Sequence, residues 1–437
     1  MAEQAEKIRS GIDWSTLWRR EDWLAVWLGF IILSSAATGI IRWIPKIRTW
    51  STDITEAFPR GSEYFIVVFL GLLALAAIGV AGMRERVKPF VAGFPIIFLL
   101  SLLSFLLAAQ KTLGKEYGLE FALWALLLGL LISNTIGVPT WLQAAAKTEL
   151  FIKIGLVLLG AEILFQKILA AGVYGMLQAL IVVTSVFYFC YLLATRVFKI
   201  DKQFASILAT GVSICGVSAA IAAGGAVKGD PRQVSYTVSL ILLLAIPMLV
   251  FMPLAAKVIG LNDAVAGAWL GGTIDTTPAV VAAGALYSKQ AMEVASIVKM
   301  SQNVLIGVWA FALALYFATK VERGSGGSRP SLLEIWYRFP KFILGFIASS
   351  MIFSLLLIPT LGVEHVNATL GITTSLRGWW FAMAFVSIGL NTNFLELLKM
   401  EKGRPFAAFS ISQLFNILLT LIIAYLIFGG IILPPPY

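Results

Sequence analysis

Runs of about twenty apolar residues, free of charge, recur along this 437-residue chain. Each is long enough to cross a hydrocarbon core of about 30 Å as a helix. Within lipid a single segment satisfies its own backbone N–H and C=O groups only by being helical. The expected fold is therefore an all-α polytopic membrane protein. Thirteen spans are expected, at about 23–43, 63–83, 89–109, 119–136, 150–170, 173–195, 203–225, 233–258, 263–286, 291–318, 337–358, 378–395 and 405–433. Charged residues make up 13% of the chain, against about 25% in soluble domains.

The net charge of +10 would otherwise raise nucleic acid as a partner. The basic residues sit instead in short loops between spans, where they set orientation. With the N-terminus placed in the cytoplasm, 20 of the 33 basic residues fall in inner segments and 11 in outer ones. That split predicts N-in and C-out. Residues 1–22 are polar, and Ile12–Arg20 mixes tryptophan with arginine, as an interfacial helix does. No cleavable signal peptide is expected there. Residues 320–330 (KVERGSGGSRP) read as a flexible cytoplasmic linker.

Two basic residues, Lys153 and Lys299, remain inside spans. They occupy matching places in an internal repeat. Residues 23–115 form three leading helices, 116–260 a first set of five, and 261–319 with 331–437 a second set. Gly129–Ile136 resembles Gly271–Pro278, Phe151–Gly155 resembles Ile297–Ser301, and Val212–Ser218 resembles Val386–Thr392. An odd number of spans per repeat forces opposite orientations, which is the inverted-repeat plan with a site near the midplane.

Five groups of residues carry candidate chemistry. Ser213, Ile214, Cys215, Gly216 and Ser218 form a small, glycine-containing stretch able to unwind in a span, and Ser387, Gly389 and Asn391 form its counterpart. Half-helix N-termini there would favour an anion; close helix packing is the plainer reading. Asp275, beside Thr276 and Pro278, is an acid inside a span, either functional or a helix cap. Lys299 and Lys153 are candidates to neutralise an anion or to titrate, with snorkelling as the alternative. Glu162 is a candidate proton or cation partner. Gln302 and Asn303 are placed to line a cavity or to bridge helices. Cys190 and Cys215 lie in apolar runs and His365 is the one histidine, so no metal site, disulfide framework or cofactor is expected. No phosphate-binding loop or hydrolase set is present, so no enzyme activity is expected.

Four stretches resemble the YeiH-type sulfate-exporter family of bacterial membrane proteins: Gly211–Gly216 (GVSICG), Trp269–Thr276 with Val280–Ala283, Ala295–Lys299 (ASIVK), and Ala382–Ala384 with Ile388–Asn391. The resemblance runs from about residue 120 to the end. It implies a panel domain, a core domain with crossed broken helices, elevator-type alternating access, the bacterial inner membrane and a homodimer. The leading expectation is a secondary transporter for a small anion, sulfate or a sulfonate, coupled to H⁺ or Na⁺ through Asp275, Glu162 or Lys153. The alternatives are a cation/proton antiporter on the same scaffold and a non-transporting receptor or scaffold.

Overall fold

The computed structural model describes residues 14–58, 63–112, 121–317, 319, 336, 339–393 and 403–434. Every regular element among them is a helix. Seven helices are long and apolar enough to cross a membrane: Tyr64–Gly82, Val87–Ala109, Ile168–Val197, Arg232–Ile259, Lys289–Tyr316, Phe342–Leu361 and Arg404–Phe428. Several other expected spans occur as shorter helices or as two half-helices, because glycine, proline and capping side chains interrupt them. The linker expected at 320–330 lies outside the described residues, as do residues 1–13 of the N-terminal segment. Of the expected interfacial helix, Trp14–Trp18 forms one 3₁₀ turn.

The chain forms two compact units. The first holds Trp14–Ile168 and Lys341–Phe394, and the second holds Leu169–Pro340 and Leu395–Tyr437. Neither follows the boundaries of the sequence repeat.

The first unit contains α1 (Glu21–Ala37), α2 (Tyr64–Gly82), α3 (Val87–Ala109), α4 (Phe121–Thr135), α5 (Thr148–Glu162), α13 (Phe342–Leu361) and α14 (Val363–Leu390). α5 is its axis. α1, α13 and α14 all pack against it. Glycines make the approach close: a Cβ on Gly29 would lie 2.6 Å from Val157, and one on Gly345 3.0 Å from the same side chain. α4 meets α14 backbone to backbone, since a Cβ on Gly389 would lie 2.5 Å from the Leu126 carbonyl and 2.7 Å from Gly129. Trp379 of α14 stacks on Phe98 of α3 at 4.7 Å.

Two expectations are corrected in α14. The expected span at about 378–395 leaves Arg377 in the outer segment before it, one of the 11 outer basic residues. The helix instead begins at Val363, directly after Gly362, whose φ of 83° makes the turn. Arg377 thus lies mid-helix and buried. The stretch 387–393 was expected to break. α14 runs unbroken through Ser387, whose Oγ donates to the Met383 carbonyl, and ends at Leu390 with Asn391 as C-cap. Gly389 is where two backbones touch; it does not start a half-helix.

The second unit contains most of α6 (Phe165–Leu192), then α7 (Lys202–Ser213), α8 (Gly216–Ala226), α9 (Pro231–Ile259), α10 (Asp263–Thr273), α11 (Thr277–Tyr287), α12 (Lys289–Tyr316) and α15 (Arg404–Phe428). α7 with α8, and α10 with α11, are each two consecutive half-helices, separated at 214–215 and at 274–276. α10 lies on α12 through Gly267 and Gly271. A Cβ on either would come within 2.6 Å of the Ala291 or Ala295 carbonyl, the close contact that small residues four apart permit. α8 also packs on α12, and α11 on α9, so each broken pair touches both long helices.

Overpacking at the α4–α14 contact is expected to destabilise the first unit. Gly389→Leu should cost about 1–3 kcal/mol and lower the detergent-solubilised Tm. Gly71→Ala, which meets nothing within 4 Å, should hold or raise Tm in the same fluorescence-detected melting series, since alanine favours a helix interior over glycine.

Candidate functional site

The two breaks of the second unit meet. α7 ends at Ser213. Ile214 (φ −120°, ψ −93°) and Cys215 (φ −135°, ψ 62°) leave helical geometry, and α8 restarts at Gly216 with φ 28°. α10 ends at Thr273. Ile274 is extended, and Thr276 caps α11 by accepting the Ala279 N–H at 3.4 Å, with Pro278 in the first turn. The N-cap is therefore Thr276, which leaves the Asp275 side chain free of that duty. Gly216 sits against Asp275: a Cβ there would lie 3.0 Å from the Asp275 carbonyl, 3.2 Å from its Cβ and 2.6 Å from Ile241. Only glycine fits both that φ and that space. Across the crossing, Cys215 Sγ lies 3.7 Å from Thr277 Oγ1.

Breaking a helix frees carbonyls at one end and N–H groups at the other. The carbonyl ends are capped by side chains. Lys299 Nζ of α12 donates to the Ile214 carbonyl at 2.6 Å and to Gln302 Oε1 at 3.1 Å. Gln302 Nε2 donates to the Gly272 carbonyl at 2.9 Å. From α15, Gln413 Nε2 donates to the Thr273 carbonyl at 3.1 Å, and Asn416 Nδ2 reaches the Val212 and Thr273 carbonyls at 3.2 and 3.4 Å. An ammonium at the C-terminal end of α7 also suits the helix dipole. The N-terminal ends of α8 and α11, with their first-turn N–H groups, lie side by side at Gly216 and Thr277.

Asp275 and Lys299 are each 1% exposed, and both lie at the crossing, Asp275 against Gly216 and Lys299 on the Ile214 carbonyl. Asn303 Nδ2 donates to Thr277 Oγ1 at 3.2 Å. Three buried acceptors, Asp275 Oδ2, Asn303 Oδ1 and Thr273 Oγ1, find no hydrogen-bond partner among the described residues. Among those residues no group of three or more His, Cys, Asp or Glu side chains is placed to hold a metal ion.

Of the residues singled out by sequence, the crossing gathers Ser213, Ile214, Cys215, Gly216, Asp275, Thr276 and Lys299. Ser218 is on α8 and exposed. Ser387, Gly389 and Asn391 belong to the first unit, where Ser133 and Asn134 of α4 cap the end of α14: Ser133 Oγ donates to the Gly389 carbonyl at 2.9 Å and Asn134 Nδ2 to the Thr392 carbonyl at 3.1 Å. Lys153 is also in the first unit. It pairs with Glu21 at 2.6 Å, Asp22 at 2.9 Å and Glu149 at 3.5 Å, where α1 and α5 begin. Glu162 holds Arg377 through two bonds, Nε to Oε1 at 2.6 Å and Nη2 to Oε2 at 3.1 Å. Gln413 and Asn416 were not singled out by sequence. Their signal was a polar stripe at helical spacing, Ser412, Gln413, Asn416 and Thr420, in an otherwise apolar span.

Seven helices long and apolar enough to cross a membrane define a multi-pass helical membrane protein. Comparison with known proteins agrees. The chain matches the model of the family described as Conserved hypothetical protein 698 over residues 92–408. It is 44% identical over 389 residues to a UPF0324 membrane protein of Rhodopirellula baltica, covering 88% of this chain and 72% of that one. It is 39% identical over 391 residues to a UPF0324 membrane protein of Nitratidesulfovibrio vulgaris, covering 88% and 66%. A UPF0324 membrane protein of Nitrosomonas europaea is 31% identical over 450 residues, covering 89% and 92%. The chain belongs to this family of membrane proteins. No solved structure matches it significantly.

Removing one partner of a buried ion pair strands the other charge. Arg377→Met should therefore destabilise the protein by about 3–5 kcal/mol. The double variant Glu162→Gln/Arg377→Met should recover most of that loss, as read by thermal melting in one detergent.

Proposed function

We propose that this protein is a secondary transporter for a small anion such as sulfate or a sulfonate, coupled to H⁺ or Na⁺. The observation that carries the reading is that Asp275 and Lys299 are both buried at the point where two broken helices cross. Charge inside a bilayer is costly and is kept where it handles a substrate or ion. The first-turn N–H groups of α8 and α11, at Gly216 and Thr277, face a common region and favour negative charge. Lys299 adds a cation beside them. Asp275 supplies the titratable or cation-binding group. Glu162 and Lys153 have no part in this reading, because each is held in an ion pair of the first unit.

α7/α8 followed by α9 parallels α10/α11 followed by α12: each has two half-helices of 11 or 12 residues, then a helix of 28 or 29. Two crossings separate them, so they run in the same sense and form a tandem motif distinct from the two inverted five-span sets. The unit with the crossing would then be the core domain and the other the panel. Elevator-type alternating access, a homodimer, an N-in and C-out topology and the bacterial inner membrane follow from the sequence resemblance and charge count.

One observation favours a second reading. The unpartnered acceptors Asp275 Oδ2 and Asn303 Oδ1 suit a proton or a sodium ion, as in a cation/proton antiporter.

Proteoliposomes decide between them. Uptake of labelled sulfate and of a sulfonate should occur and should respond to an imposed pH or sodium gradient. Lys299→Ala should abolish that uptake. Asp275→Asn should leave downhill anion exchange but remove its response to the gradient. Sodium flux indifferent to anions, or full anion transport by Lys299→Ala, would overturn the anion reading.

A further inference from the structure

The turn joining α2 to α3 has a chemistry that transport at the crossing does not use. Both helices are candidate spans, so the residues between Gly82 and Val87 lie at a membrane surface. They include Arg84, Glu85 and Arg86, with Lys88 in the first turn of α3. Arg84 holds φ at 60°, a conformation that costs a non-glycine residue and is retained where the surroundings fix it. The turn borders an open depression of about 540 Å³ lined by Arg84, Glu85, Arg86, Pro89, Thr140 and Trp141.

Two ties hold the far wall in place. A Cβ on Gly93 of α3 would lie 2.7 Å from the Trp141 carbonyl and from Ala145, so the 140–145 segment rests directly on the α3 backbone. Lys147 forms an ion pair with Glu85, which joins that segment to the turn and neutralises the acid on the rim. The charge left facing the depression is basic, and the N-terminal turn of α3 adds the positive end of a 23-residue helix. Trp141 is 43% exposed at the same edge, as aromatic residues are at the headgroup level.

We propose that this depression is a binding site for a phosphate group, presented by the headgroup of an anionic phospholipid. Arg84 and Arg86 offer forked donors to phosphate oxygens. The Thr140 hydroxyl is a further donor, and Trp141 is an apolar wall for the glycerol and upper acyl region. The membrane surface presents headgroup phosphates at this turn at a density that free phosphate does not match. The family model matches from residue 92, so the arginine turn lies before the matched region.

The test is native mass spectrometry of the full chain purified in detergent, with phosphatidylglycerol or phosphatidylcholine added. Phosphatidylglycerol should be retained in preference. Arg84→Gln/Arg86→Gln should weaken its apparent affinity by about tenfold or more, from two basic residues lost at an anionic surface. Arg42→Gln/Arg48→Gln, an equal charge loss on another loop, should leave retention unchanged. Arg84→Gly removes the charge while suiting the backbone angle, so weaker lipid retention at an unchanged or higher Tm separates binding from folding. Retention unaffected by the arginine changes would overturn the site. Protection by inorganic phosphate, with no preference between the two lipids, would overturn the lipid as its source.

Discussion

A backbone carbonyl withdrawn from water has to find a hydrogen-bond donor, and inside a bilayer the supply is limited to the protein. The second unit is organised around that requirement. Two spans are interrupted, and each interruption releases carbonyls from the end of a half-helix. Lys299 and Gln302 on α12, and Gln413 and Asn416 on α15, are the donors that answer them. Without those four side chains the breaks would be closed by continuing the helix, which satisfies the same groups locally. The polar residues of α12 and α15 and the broken spans are therefore one design. The glycines follow from it, since Gly216 admits the second break to within contact distance and Gly267 and Gly271 let α10 lie on α12 closely enough for Gln302 to reach the Gly272 carbonyl.

Much of this was legible in the sequence. Lys299 stood out because charge inside an apolar run has few explanations. Asp275, with two glycines before it and a proline after it, marked the interruption at 274–276. The stretch Gly211–Gly216 marked the other. The misreading at Ser387–Asn391 has a physical source. Small residues allow a helix to unwind, and they also allow two intact helices to touch, and sequence presents the two uses in the same letters. Gly389 serves the second use against Gly129. Arg377 was missed for a different reason. Its half of α14 is polar enough, with Glu364, Asn367, Thr369, Thr373 and Ser375, that hydropathy places a loop there. What makes it helical is tertiary: Glu162, at the end of a helix 215 residues away in sequence, receives the guanidinium.

Two places bring buried acidic and basic side chains together, and they differ in bonding. Either kind of pair is replaceable in principle by well-packed apolar residues at no loss of stability. Glu162 and Arg377 are joined by two good hydrogen bonds, and the guanidinium also lies 5.3 Å from the centre of the Phe381 ring. That pair is complete, and its presence is explained by the α5–α14 contact it closes. Asp275 and Lys299 are not complete in this sense. The ammonium directs its bonds to a carbonyl and an amide oxygen, and Asp275 Oδ2 is left without a donor. A carboxylate oxygen buried without a donor is stable only when something positive arrives. Under the transport reading, that gives an order to events. A proton or sodium ion would neutralise Asp275 first. The Lys299 charge and the N-terminal ends of α8 and α11 would then be left in excess, for an anion to balance. Coupling would thus arise from charge balance at the crossing, with no need for a separate acidic site elsewhere in the chain.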